Sequence, residues 1–163
     1  MLKRKVEKVE EQSAQYVTFR LDEEIFAIDI MNARKVIKVN SVTHIPELPD
    51  FILGVYSLGK RVIPIIDLKL KFGLTAHQEQ FFEKKEVIII RLETISCGIV
   101  IDKVLNVETF KTAIIEAVPS VVNTEARVHL KGIVKLEGKI ISIVEAERIF
   151  STEEKEILKD ESK

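Results

Sequence analysis

The chain has 163 residues, with 25 Lys and Arg against 26 Asp and Glu for a formal charge of −1, which fits one domain or two very small ones. That balance excludes a nucleic-acid coat or a polybasic membrane binder, since both need a positive excess to displace counterions. Hydrophobic residues at 46% and charged residues at 31% are values of a soluble globular protein, and a chain this long buries roughly 70% of its unfolded surface.

Cys97 is the one cysteine, so neither an internal disulfide nor a cysteine metal site is available, and a reducing, cytoplasmic setting is expected. Met1 to Gln12 lacks the apolar segment of a signal peptide. No uncharged apolar stretch approaches the ~20 residues of a membrane helix.

In chain order, residues 1–13 read as a charged, flexible arm. Tyr16 to Leu21 and Ile25 to Ile28 flank Asp22-Glu23-Glu24 as a hairpin. Ala33 to Val39 is a third strand, followed by a loop with His44, Pro46 and Pro49. Leu53 to Leu58 and Arg61 to Ile66 enclose Gly59-Lys60, the signal of a type II′ hairpin. Asp67 is placed to cap a one-turn helix over Leu68 to Phe72, which Gly73 closes. Residues 75–85, polar apart from Phe81 and Phe82, read as a linker. Val87 to Leu92 begins with an unbroken apolar run, expected of a strand buried on both faces. Ser96 to Ile101 and Val104 to Phe110 follow as strands, and Ala146 to Leu158 has the spacing of an amphipathic helix with a polar tail after it.

The chain also repeats itself. Gly54 to Asp67 (GVYSLGKRVIPIID) resembles Gly132 to Glu145 (GIVKLEGKIISIVE) at a constant offset, 132 − 54 = 78, which Phe72 and Phe150 share. Arg20-Leu21 and Arg91-Leu92 match at a different offset, 91 − 20 = 71, so the second copy carries seven more residues before its hairpin. Its turn, Glu137-Gly138, suits type I′ rather than II′. Two copies of a unit of about five strands are expected, folding as paired barrels.

Chemical motifs are absent. No dinucleotide, P-loop or zincin signature occurs. His44, His77 and His129 read as surface or loop histidines without metal spacing, and Cys97 as a buried, inert thiol. Asp29, Asp67 and Asp102 each follow an apolar run and are explained as caps and turn formers. No catalytic, cofactor or metal residues are assigned. Lys35, Lys38, Lys60 and Arg61 offer the alternative of a nucleic-acid-binding SH3- or OB-like barrel. Only 6% aromatic residues and no Trp make a poor set of stacking platforms for it.

At the first hairpin the chain resembles a known family. Phe51 to Val55, Ser57-Leu58, Val62 to Leu68 and Lys71-Phe72-Gly73 are similar to the central signature of the CheW-like family, the chemotaxis coupling proteins and the regulatory domain of the kinase CheA. Ile28-Asp29-Ile30 and Gly98 to Asp102 are similar to its other recurrent stretches, and the likeness spans Gln15 to Phe150. The resemblance implies a mainly β fold: two intertwined SH3-like five-stranded barrels in pseudo-repeat with short helices and a C-terminal helix. The expected layout is a single domain over 14–150, with subdomains near 14–74 and 86–145 that are able to exchange strands, then a helix and tail over 146–163.

The resemblance further implies a non-enzymatic, cytoplasmic adaptor with no cofactor. Its partners would be the cytoplasmic tip of methyl-accepting chemoreceptors and the regulatory domain of CheA. Carried over by position, the receptor-binding residues would be Ala33, Lys35, Val36, Ser57, Gly59, Lys60, Arg61, Val87, Ile88 and Val107, and the kinase-binding residue Val121. Three departures stand out: Ala33 stands where the family often has a larger apolar residue. Lys35 occupies a position that is often acidic, and Gly59 stands where the family's hairpin carries a receptor-reaching arginine. Lys60 or Arg61 is then expected to supply the charge from a shifted turn.

Overall fold

The structure is a computed structural model that describes residues 12–78, 84–122 and 124–161. Most of the expected N-terminal arm (1–11), the Phe81-Phe82 part of the linker and the last two residues lie outside the described residues. Val- and Ile-rich runs form strands because β-branched side chains pack well on a pleated surface. The described residues carry ten: β1 (Ser13–Leu21), β2 (Glu24–Asp29), β3 (Ala33–Val39), β4 (Ile52–Leu58), β5 (Arg61–Asp67), β6 (Lys85–Leu92), β7 (Ile95–Ile101), β8 (Lys103–Lys111), β9 (Leu130–Leu136) and β10 (Lys139–Val144). Gly59 alone is left-handed in its turn (φ 64°), whereas Glu137 and Gly138 both are (φ 51° and 79°). Those are the signatures of types II′ and I′. Asp67 caps α1 (Leu68–Lys71) by accepting the Leu70 N–H at 3.1 Å, and Gly73 follows at φ 75°.

The strands form two five-stranded sheets in the orders β8-β1-β2-β10-β9 and β3-β6-β7-β5-β4, the first and second barrels. Each takes the first two strands of one repeat and the last three of the other. The registers correspond at the repeat offsets. Tyr16 faces Asp29 as Val87 faces Val100, and Ile143 runs parallel beside Ala27 as Ile65 does beside Gly98.

Both sheets close in the same way. Thr43, past β3, exchanges backbone hydrogen bonds of 2.9 and 2.8 Å with Val55 on β4, and Glu116, past β8, exchanges 2.8 and 2.9 Å bonds with Ile133 on β9. The repeat's matched glycines sit at these closures. A Cβ on Gly54 would lie 2.5 Å from the Thr43 carbonyl oxygen, and one on Gly132 would lie 2.6 Å from that of Glu116. A side chain at either place would hold the two backbones apart.

Each barrel has a small interior, around Tyr16, Phe110 and Ile143 in the first and Val39, Ile65 and Val87 in the second. The largest cluster lies between them and draws on both copies, with Phe19, Phe26, Ile66, Phe72, Ile88, Cys97 and Phe150. Aromatic contacts cross the repeat there. Phe51 packs on Phe150 at 5.9 Å between centroids, and His129, in Phe51's place at the offset of 78 (129 − 51), packs on Phe72 at 5.0 Å.

Two expectations need correction. His129 is not a surface histidine; it is 7% exposed and its Nδ1 lies 2.7 Å from the Arg148 carbonyl. It inherits a core position because the repeat puts an aromatic ring there. The helix expected over Ala146 to Leu158 is also broken. A 3₁₀ turn, Ala146–Arg148, leads into the buried Ile149 and Phe150, and the helix α3 begins only at Thr152, running Thr152–Glu161; a further short helix, α2, spans Thr124–Arg127. The break is a capping box. Ser151 Oγ accepts the Glu154 N–H at 3.1 Å, and Glu154 Oε1 accepts the Ser151 N–H at 2.8 Å.

Candidate functional site

The acidic residues that end strands serve structure. Asp29 accepts the Met31 N–H, Asp67 caps α1, and Asp102 accepts the Asp22 N–H while pairing with Lys69 Nζ at 3.1 Å. Among the described residues no group of three or more His, Cys, Asp and Glu is arranged to hold a metal. Cys97 is fully buried, and burial pushes its thiol up to about 12, so the nucleophilic thiolate is suppressed. None of these groups assembles a reactive centre.

The expected receptor residues divide into three situations. β3 is an edge strand of the second barrel, with Lys35 and Val36 exposed and Ala33 half-buried. The β4–β5 hairpin presents Ser57, Gly59, Lys60 and Arg61 to solvent. The antiparallel bridge between Thr43 and Val55 runs this hairpin back toward β3. Val107 stands 54% exposed on β8, the edge of the first barrel.

Val87 and Ile88 differ from the rest, both being 0% exposed. Val87 belongs to the interior of the second barrel and Ile88 to the shared cluster, directly opposite Ile37 and Val36 in the β3–β6 pairing. With their side chains buried, these two residues hold β3 in place through its pairing with β6.

Arg61 is also committed internally. Its Nη2 donates to Ser96 Oγ at 3.0 Å, and Arg91 Nη1 donates to the same oxygen at 3.2 Å. Of the two expected charge donors, Lys60 at the turn itself is the one directed by the hairpin rather than held by β7. Gly59 has open space where a side chain would begin.

The repeat exposes a pattern that residue-by-residue reading missed. Val36 and Val107 are equivalent at the first offset, 107 − 36 = 71, and are 45% and 54% exposed. Val62 and Ile140 are equivalent at the second, 140 − 62 = 78, and are 40% and 56% exposed. Laying one copy on the other was enough to find both pairs. Isolated exposed apolar residues are ordinary; what distinguishes these four is that they recur at equivalent positions of the two copies. Near the seam between barrels, Glu86 Oε1 accepts the Val104 N–H at 2.8 Å, joining β6 to β8.

Val121 lies elsewhere and is 90% exposed. It edges a groove of 640 Å³ on the first barrel, whose walls include Phe26, Leu74, Pro119, Ala126 and Ile140. The structure thus groups the β3 and hairpin residues on the second barrel, puts Val107 on the opposite edge strand, and sets Val121 apart.

Comparison with known proteins matches residues 15–154 to the CheW-like domain. A Treponema pallidum protein named chemotaxis protein CheW is 28% identical over 151 residues, covering 90% of this chain and 87% of that protein. Its namesake from Klebsiella aerogenes is 31% identical over 140 residues, covering 86% and 83%. The crystal structure of the scaffolding protein TtCheW from Thermoanaerobacter tengcongensis superposes with a TM-score of 0.74 at 31% identity, over 90% of this chain and 93% of that one.

Proposed function

The chain belongs to the CheW-like domain family, and from that membership we propose that it is a non-enzymatic adaptor coupling chemoreceptor tips to the histidine kinase CheA, acting in the cytoplasm and reaching receptor arrays through its partners. The observation that carries the reading is the pair Val36 and Val107, exposed apolar side chains at equivalent positions on the edge strands β3 and β8. A few such side chains dominate a protein contact, while rim charges set on-rate and specificity. The receptor surface is assigned to Ala33, Lys35, Val36, Ser57, Gly59, Lys60 and Val107, with Val87 and Ile88 supporting it from within. The kinase surface is assigned to the groove edge at Val121. Residues 14–150 work as one unit, since each barrel is built from both copies.

The test is kinase autophosphorylation with cognate receptor, with and without this protein. The expected result is receptor-dependent control of the kinase only when the protein is present, and no dependence on it would overturn the reading. Within the hairpin, Lys60→Ala is expected to weaken receptor binding by about threefold to tenfold, the size of a rim contact. Arg61→Ala should act mainly on the hairpin's hold on Ser96. Unchanged receptor binding by the Lys60 variant would remove that residue from the surface.

A further inference from the structure

The groove on the first barrel has a counterpart on the second that a helix of this chain partly fills. There, α3 packs on β5 and β7 and faces the β6–β7 turn at Leu92, Glu93, Thr94 and Ile95. The strands equivalent to β5 and β7 are β10 and β2, and the equivalent turn joins β1 to β2. Those elements supply Arg20, Glu24, Phe26, Ile140 and Ser142 to the groove wall. Leu74, at the position equivalent to the first residue of α3 (152 − 78 = 74), lines it as well. A Cβ on Gly73 would lie 2.5 Å from the Glu125 carboxylate, so α2 takes up the start of the helix position. Among the described residues nothing covers the remainder, with Ile140 56% and Val121 90% exposed.

The charges carry the same contrast. In the second barrel Arg61 and Arg91 donate to Ser96. Their equivalents, Lys139 and Arg20, line the groove together with Glu23 and Glu24, and Ile25 stands in place of Ser96. An isoleucine accepts no hydrogen bond, so an occupant of the groove can supply the acceptor.

We propose that this groove docks a short amphipathic helix of a partner protein, seated on β2 and β10 as α3 is seated on β7 and β5. Its aliphatic face meets Phe26 and Ile140, and a carboxylate reaches Arg20 and Lys139. The proposal goes beyond the coupling reading, because it specifies how a partner segment sits and holds whichever partner uses the Val121 edge.

The experiment titrates the full isotope-labelled chain with a helix-locked peptide carrying the sequence of residues 151–159, which contains α3's own apolar face, beside a scrambled peptide. Saturable amide shifts centred on Ile25, Ile140 and Val121 are expected with the first peptide alone. Ile140→Glu and Val121→Glu should each weaken binding by about tenfold or more. Val62→Glu, the counterpart on the second barrel, should leave it unchanged. Val121 is so exposed that its variant keeps the test open should Ile140→Glu disturb folding. The proposal is overturned if no saturable shifts occur, or if the scrambled peptide shifts the same residues. Shifts confined to the second barrel, which would mean exchange with α3, also overturn it. So does self-association abolished by Ile140→Glu, which would make a second copy the occupant. Kinase retention, measured separately by co-sedimentation, tells failure of helix docking from failure of the adaptor role.

Discussion

The first and second barrels share strand order, register and the glycine at their closure, yet they finish their outer faces differently. The second is covered by α3, and its hairpin is tied down through Arg61, Arg91 and Ser96. The first has Lys139, Arg20 and Ile25 at the equivalent positions and keeps a groove beside the loop that carries the repeat's extra residues. Much of what the copies share buries surface, where packing tolerates little change. The parts that diverge face solvent, where a duplicated unit can take on two different partners without disturbing the core.

The comparison breaks most readily at the aromatic crossing. Phe72→Ala and Phe150→Ala should each cost about 3–5 kcal/mol, since each deletes a buried ring from the shared cluster. Denaturant melts should remain single transitions, because neither barrel retains its half of that cluster when the other unfolds. Two separated transitions would mean that the barrels are independent and the correspondence between them merely topological.

Smaller effects are expected at the closures. Gly54→Ala and Gly132→Ala each force a Cβ to within 2.5–2.6 Å of a carbonyl oxygen, and overpacking of this kind costs about 1–3 kcal/mol. Gly54, at φ 158°, should be the more sensitive. A loss at one glycine with none at the other, measured by urea melts, would show that only one barrel depends on its bridge.

The smallest effect tests the asymmetry that α3 introduces. Burial works to raise the pKa of Glu154, but the Lys71 ammonium 2.7 Å away and the hydrogen bonds from Ser151 outweigh it and hold the carboxyl below its ordinary value. The stability this carboxylate contributes is therefore present above its unfolded pKa and lost as pH falls through its folded one. Glu154→Gln should flatten the acid side of the stability profile while changing neutral stability by less than about 1 kcal/mol. An unchanged acid limb would mean that the pair with Lys71 does not hold α3 in place.

Strands, turns and caps were legible because each rests on local chemistry: β-branched runs, glycine turns, and Asp67 ahead of a short helix. Strand exchange came only with the family resemblance, because the two offsets identify equivalent positions without saying which copy a strand will pair with. The loss of Val87 and Ile88 from the surface followed from the same unbroken apolar run that predicted burial on both faces. The resemblance matched both to a receptor groove, and their side chains are buried here. The commitment of Arg61 to Ser96, 35 residues away, leaves no local trace. His129 and the break before α3 were legible in principle. The offset of 78 aligns the histidine with Phe51, and Ser151-x-x-Glu154 spells a helix start.

The adaptor reading requires that two partners be held at once on separate surfaces. The most direct measurement is co-sedimentation of the cognate receptor fragment and kinase with the wild-type chain, Val36→Glu and Val121→Glu, all three checked for equal thermal stability. Both partners should be retained by the wild type. Val36→Glu should lose receptor by about tenfold or more while keeping kinase, and Val121→Glu the reverse. A wild-type chain that retains only one partner, or a single variant that loses both, would contradict the account.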